Sequence, residues 1–146
     1  MSEVHDPATA EALDGLAAAV DALVAAGVTP DDAADARVLI AEVESIGRRV
    51  DAVQVGLVDE IDRTGAYRAD GHFSAKVMVR HEANLSGPEA HRRASAAKTL
   101  RVMPEVRSAF SSGRIGRCQV ERVAKAHANP RIRAGVSGTI RAPSSS

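Results

Sequence analysis

The chain has no tryptophan, one tyrosine (Tyr67) and two phenylalanines (Phe73 and Phe110) among 146 residues. A core must therefore come from Ala, Val, Leu and Ile, and alanine-rich packing without aromatics favours close-set helices over a sheet. The single cysteine, Cys118, excludes an internal disulfide and any multi-cysteine zinc site. No apolar run is long enough to span a bilayer, and the opening "MSEVHDPATAE" is acidic without an apolar signal core. The expected setting is cytoplasmic, away from membranes. No glycine-rich phosphate loop follows a strand, and no serine sits in a nucleophile-elbow context.

Lysine is also scarce, at 3 residues against 16 Arg. The net charge of zero conceals a segregation. Residues 1–62 carry 14 Asp/Glu and 3 Arg/Lys, giving −11, whereas residues 63–146 carry 5 Asp/Glu and 16 Arg/Lys, giving +11. Such asymmetry points to an interaction surface, most often for nucleic acid. The alternative is that the halves neutralise each other, within one molecule or between two.

What is present is helical pattern. "HDPATAEALDGLAAAVDALVAAG" predicts a first helix, with Asp6 as N-cap, Pro7 at the first helical position and Gly27 after the last turn. "VTPDDAADARVLIAEVESIGRRVDAVQVGLVDEIDRTG" predicts a longer one, with Thr29 as N-cap and Pro30 at the first position. Its Leu39, Val43, Ile46, Val50, Val53 and Leu57 alternate at four and three, the seam of a coiled coil. That seam must pack on the C-terminal helices or on another copy of the chain, and intramolecular cover is expected. Beyond Gly65 the helices shorten. Ser74 caps one through about Ala83, Ser86 with Glu89 opens another over 87–102, Pro104 starts a third ending near Gly113, and Gly116 precedes a last one through about Ala128. The expected fold is all-α: a long antiparallel helical hairpin (7–64, acidic), then short helices (65–128, basic) including a helix–turn–helix-like pair. The tail 129–146 is expected to be disordered.

The histidines pose a choice. His72, His81 and His91 are nine and ten residues apart, neither a helical i, i+4 zinc pair nor a finger spacing, so neither metal nor cofactor is expected. "SAKVMVRHEA", "NLS" and "GPEAHRRASAAKTLRV" read better as two helices around a tight turn. On the second helix Ala90, Ala94, Ala97 and Leu100 project inward, and His91, Arg92, Ser95, Lys98 and Thr99 outward. Short cationic groups on that arc suit phosphates and base edges. The candidate nucleic-acid contacts are Lys76, Arg80, His91, Arg92, Arg93 and Lys98, with no catalytic residue among them. On this reading His81 flanks the core and His72 lies in a turn.

Asp70-Gly71-His72 with Ser74, Leu85-Ser86 followed by Ala90 and Arg93, Ala97 and Leu100, Met103-Pro104, and Gly113 with Ile115 and Val120 follow one another in a specific order. In this the chain, over about residues 8 to 128, resembles domain of unknown function 222, the 13E12 repeat family of high-GC bacteria. The resemblance implies a helical domain that usually precedes a C-terminal HNH endonuclease module of a mobile element. That module carries a ββα-metal motif with paired histidines and an asparagine, and the residues after Pro130 contain no His and no Cys. The chain thus looks truncated, and the resemblance does not imply an enzyme. The family also tends to place Trp where this chain has Met78, which implies looser packing there.

Two functional readings follow: a non-catalytic, DNA-associated helical domain binding double-stranded DNA, or a protein-interaction module that forms a homodimer through the seam.

Overall fold

The computed structural model describes residues 6–129. It contains seven helices: α1 (Pro7–Ala26), α2 (Ala33–Thr64), α3 (Ala66–Ala69), α4 (Ala75–Glu82), α5 (Gly87–Val102), α6 (Pro104–Ser111) and α7 (Arg117–Ala128). Among the described residues there is no strand, as the missing aromatics and abundant alanine predict. The expected tail from residue 130 onward lies outside the described residues. Residues up to Ala41 and those from Glu42 onward form two compact units, with the boundary inside α2. Charge changes sign some twenty residues later.

Local chemistry sets the helix ends. The Asp6 carboxylate accepts from the Thr9 N–H at 2.8 Å, and Gly27 closes α1 in the left-handed region at φ 62°. At α2 the expected cap is displaced. The Thr29 hydroxyl donates back to the Gly27 carbonyl, while the Asp32 carboxylate accepts from the Asp35 N–H at 2.8 Å. Asp35 in turn accepts from the Asp31 N–H, so an acidic capping pair three residues downstream starts the helix at Ala33. Ser74 and Ser86 cap α4 and α5 as predicted. The one-turn α3 has no counterpart in the sequence reading.

α5 is the hub of the second unit, packing on α4, α6 and α7. Its Ala90, Ala96, Ala97 and Leu100 are buried together with Val55, Val58, Ala75, Phe110, Val120 and Ala124. Small side chains let the neighbouring helices approach on several sides at once. That corrects the expected outward arc: Thr99 is only 3 % exposed, because a helix covered on three sides leaves little circumference for solvent. Tyr67 rests half-buried against this core, its ring 5.2 Å from the Arg68 guanidinium. A groove of about 310 Å³ is lined by Leu57, Ile61, Met78 and Val79.

The seam of α2 is covered only in part: Leu39 and Val50 are half-buried, and the other four members are exposed. Val43, Ile46, Val53 and Leu57 are 52 %, 45 %, 69 % and 59 % exposed. The helix instead turns Ser45, Arg48, Ala52 and Val55 inward, each two residues beyond a seam position and so rotated by about 200° from it. This second stripe is small and polar at one end, which lets the loop between α6 and α7 come close. The Arg48 guanidinium donates to the Gly113 carbonyl at 3.4 Å, while its buried Nε finds no partner among the described residues. Phe110, at 1 % exposure, fills the space at the other end.

Candidate nucleic-acid interface

The α4–turn–α5 pair is built by two serine caps and one unusual backbone conformation. The Ser74 hydroxyl accepts from the Val77 N–H and the Ser86 hydroxyl from the Glu89 N–H, both at 3.2 Å. Between the helices Asn84 adopts φ 54°, a left-handed conformation that asparagine tolerates better than most residues. The Leu85 N–H returns to the Arg80 carbonyl at 2.9 Å.

This turn brings part of the candidate set together. Lys76, His91 and Lys98 line one open groove of about 250 Å³ with Ser74, Ser95 and Arg101. A neighbouring groove of about 400 Å³, between α5 and α7, is lined by Arg92, Arg122 and Lys125 with the exposed Cys118. His91 and Ser95 border both, forming a ridge between them. Lys76, Lys98, Arg122 and Lys125 form no ion pair among the described residues, so their charge is available to a ligand. Phe73, next to Ser74, is 95 % exposed.

Other candidates are diverted. Glu89, the expected capping-box partner of Ser86, turns away from the cap. Its carboxylate accepts from Arg92 at 2.8 Å, Arg93 at 3.0 Å and Arg117 at 2.7 Å. Glu121 extends the cluster, lying 3.1 Å from Arg117. Burial alone would raise the Glu89 carboxyl; the hydrogen bonds from Arg92 and Arg93 and the charge of Arg117 outweigh it and hold the group below its ordinary value. Much of the Arg92 and Arg93 charge is thereby compensated within the protein. Arg93 has only 15 % of its side chain exposed and lines the groove beside Met78 rather than the Lys76 groove. The Arg80 guanidinium lies against Gly87 at the first turn of α5.

Three features escape sequence reasoning. Arg101 links α5 to α2, its guanidinium reaching Asp59 at 2.8 Å and Asp62 at 2.9 Å. Hydrogen bonds from Arg101 to Asp62 and Asp59 raise its already high pKa further, so it stays cationic beside the groove. Arg122 and Lys125 line the α5–α7 groove, on a helix to which the sequence pattern assigns no contact. His81, expected to flank the core, is exposed, and its ring lies 5.7 Å from that of His72.

An all-α domain with a capped helix–turn–helix-like pair at its centre is the class that this arrangement defines. The family model described as Domain of unknown function (DUF222) matches residues 37–130, and the chain belongs to that family. The match begins within the first turns of α2, runs through α7 and leaves α1 outside. Neither the curated proteins nor the solved structures compared contain a match to the chain. No helix among the described residues is long and apolar enough to cross a membrane.

Proposed function

We propose that the domain is a non-catalytic DNA-binding module that docks on duplex phosphates through the exposed faces of α4, α5 and α7. The single observation that supports this most is the convergence of Lys76, Lys98 and His91 on one groove, with Arg122 and Lys125 across the His91–Ser95 ridge. Four of these five groups are permanent cations on rigid helices, set among serine hydroxyls that can donate to phosphate oxygens. The acidic first 62 residues, at −11, work against binding if they lie near the duplex. Titration of a labelled duplex at low salt tests the reading. Binding at micromolar protein that weakens steadily with added salt is the expected result. No binding at tens of micromolar rejects it.

A second reading rests on a different observation. The heptad seam of α2 faces away from the buried stripe of the same helix, and four of its members are about half or more exposed. A coiled-coil pairing with the same seam of a second copy would cover it, since a/d spacing is the pattern that a second helix matches. Val53→Asp should leave the monomer's stability within about 0.5 kcal/mol, because Val53 is 69 % exposed. Sedimentation equilibrium should show a wild-type dimer and a monomeric variant. A monomeric wild type at high concentration removes this reading.

A further inference from the structure

The turn after α3 gathers side chains that the chain order keeps apart. Asp70 closes α3, Gly71 follows at φ 78°, and the His72 N–H donates to the Tyr67 carbonyl at 3.0 Å. The half-buried His72 imidazole then lies with its Nε2 3.3 Å from the Asp70 carboxylate. Glu82, the last residue of α4, reaches the same place. One nitrogen of His72 and one oxygen each of Asp70 and Glu82 lie within 4.8 Å of one another. The His81 ring stands beside them, 5.7 Å from that of His72 and tilted by 46°.

The surrounding charge makes this meeting unusual. Residues 63–146 hold 16 Arg/Lys and only 5 Asp/Glu. Glu89 and Glu121 are taken up by arginines. Asp70 and Glu82 have neither Arg nor Lys as an ion-pair partner among the described residues, and meet at an imidazole instead. Two carboxylates and one imidazole, with neither Arg nor Lys paired to them among the described residues, present donor atoms to a common point.

We infer that Asp70, His72 and Glu82 form a binding site for a first-row divalent transition-metal ion such as Zn²⁺ or Co²⁺. One imidazole nitrogen and two carboxylate oxygens form a mixed donor set that suits such ions better than Mg²⁺ or Ca²⁺, which favour all-oxygen shells. At bond lengths of about 2.0–2.2 Å, tetrahedral ligands sit about 3.4 Å apart, so a modest side-chain contraction closes the site. Three protein ligands leave room for water or for the neighbouring His81 nitrogen. The site is separate from the Lys76 groove and does not depend on the DNA reading.

The test uses the full chain stripped with chelator and titrated with ZnCl₂ by calorimetry, with Co²⁺ absorption as a second readout. One equivalent should bind and raise the melting temperature. His72→Ala, and Asp70→Asn combined with Glu82→Gln, should each weaken binding by at least about tenfold, since even outer-shell changes cost that much. His91→Ala, in the other groove, should bind as wild type does. Circular dichroism confirms that each variant is folded, and the isosteric Asp70→Asn/Glu82→Gln chain decides if His72→Ala is not. Absence of saturable binding at tens of micromolar metal overturns the inference. So does affinity unchanged in the folded variants, which would put the ion elsewhere.

Discussion

The Cβ that Gly113 lacks would fall 2.8 Å from the backbone carbonyl oxygen of Ser45 and 2.7 Å from its hydroxyl. Gly113 also adopts φ 80°, where any side chain is strained. Gly113→Ala should therefore combine a left-handed backbone penalty with overpacking against α2, costing about 2–4 kcal/mol. Urea unfolding followed by circular dichroism measures it. A cost under about 1 kcal/mol would mean that α2 yields freely at Ser45.

Glu89 should give the protein an acid-sensitive component. Its folded pKa lies below the ordinary value of 4.5, so folding favours the ionised form. That stabilisation is complete above the unfolded value and is lost as pH falls through the folded one. Glu89→Gln should lower stability at neutral pH by about 1–3 kcal/mol, because three arginines lose a charged acceptor. The gap between the melting curves of wild type and variant should close as pH is lowered below 4.5. A gap that stays constant with pH would show that the carboxylate's charge is immaterial.

The two phenylalanines should behave as opposites. Phe110 is 1 % exposed and Phe73 is 95 % exposed. Phe110→Ala should cost about 3–5 kcal/mol, by lost transfer energy and the cavity left behind. Phe73→Ala should change stability by less than about 0.5 kcal/mol. Thermal unfolding of both variants checks the contrast, and equal losses would contradict the burial pattern.

Lys76 and Lys98 should dominate the salt dependence of duplex binding. Both line the same groove, and neither is ion-paired among the described residues. The wild-type log–log slope should be about 3–5 in magnitude, at about 0.9 per phosphate contacted. Replacing both lysines with Ala should flatten it by about two units, read from anisotropy titrations at several salt concentrations. Arg93→Ala should leave the slope nearly unchanged, because Glu89 already compensates that charge. The reverse ranking would place the contacts on another face.

Legibility followed the range of each interaction. Caps are local, so Asp6, Ser74 and Ser86 could be read directly, and with them the limits of α1, α4 and α5. At α2 the Thr-Pro pattern points to Thr29, but the cap is Asp32, because the Thr29 hydroxyl turns back to the Gly27 carbonyl. The stronger apolar period of α2 proved to be the exposed one. Its buried stripe contains Ser45, Arg48 and Ala52, whose burial depends on what docks there. Thr99 reads as outward by pattern and is buried for the same reason, since a small polar residue fits either face of a crowded helix.

The candidate interface was legible as a charge pattern and less so as a geometry. Lys76, His91 and Lys98 meet because the Asn84 turn sets α4 against α5. The sequence could not show that Glu89 would leave its cap to bind Arg92, Arg93 and Arg117. Nor could spacing along the chain reveal Asp70 and Glu82 at one imidazole, because the folded turn, not the eleven residues between them, sets that distance.

The scarcity of aromatics has an optical consequence. With no tryptophan in the chain, near-ultraviolet emission comes almost wholly from Tyr67. That ring leans on the core, has the Arg68 guanidinium close by, and belongs to the residue whose carbonyl holds the His72 amide. An unlabelled sample therefore carries its own single-site probe, at the junction between the packed interior and the histidine turn.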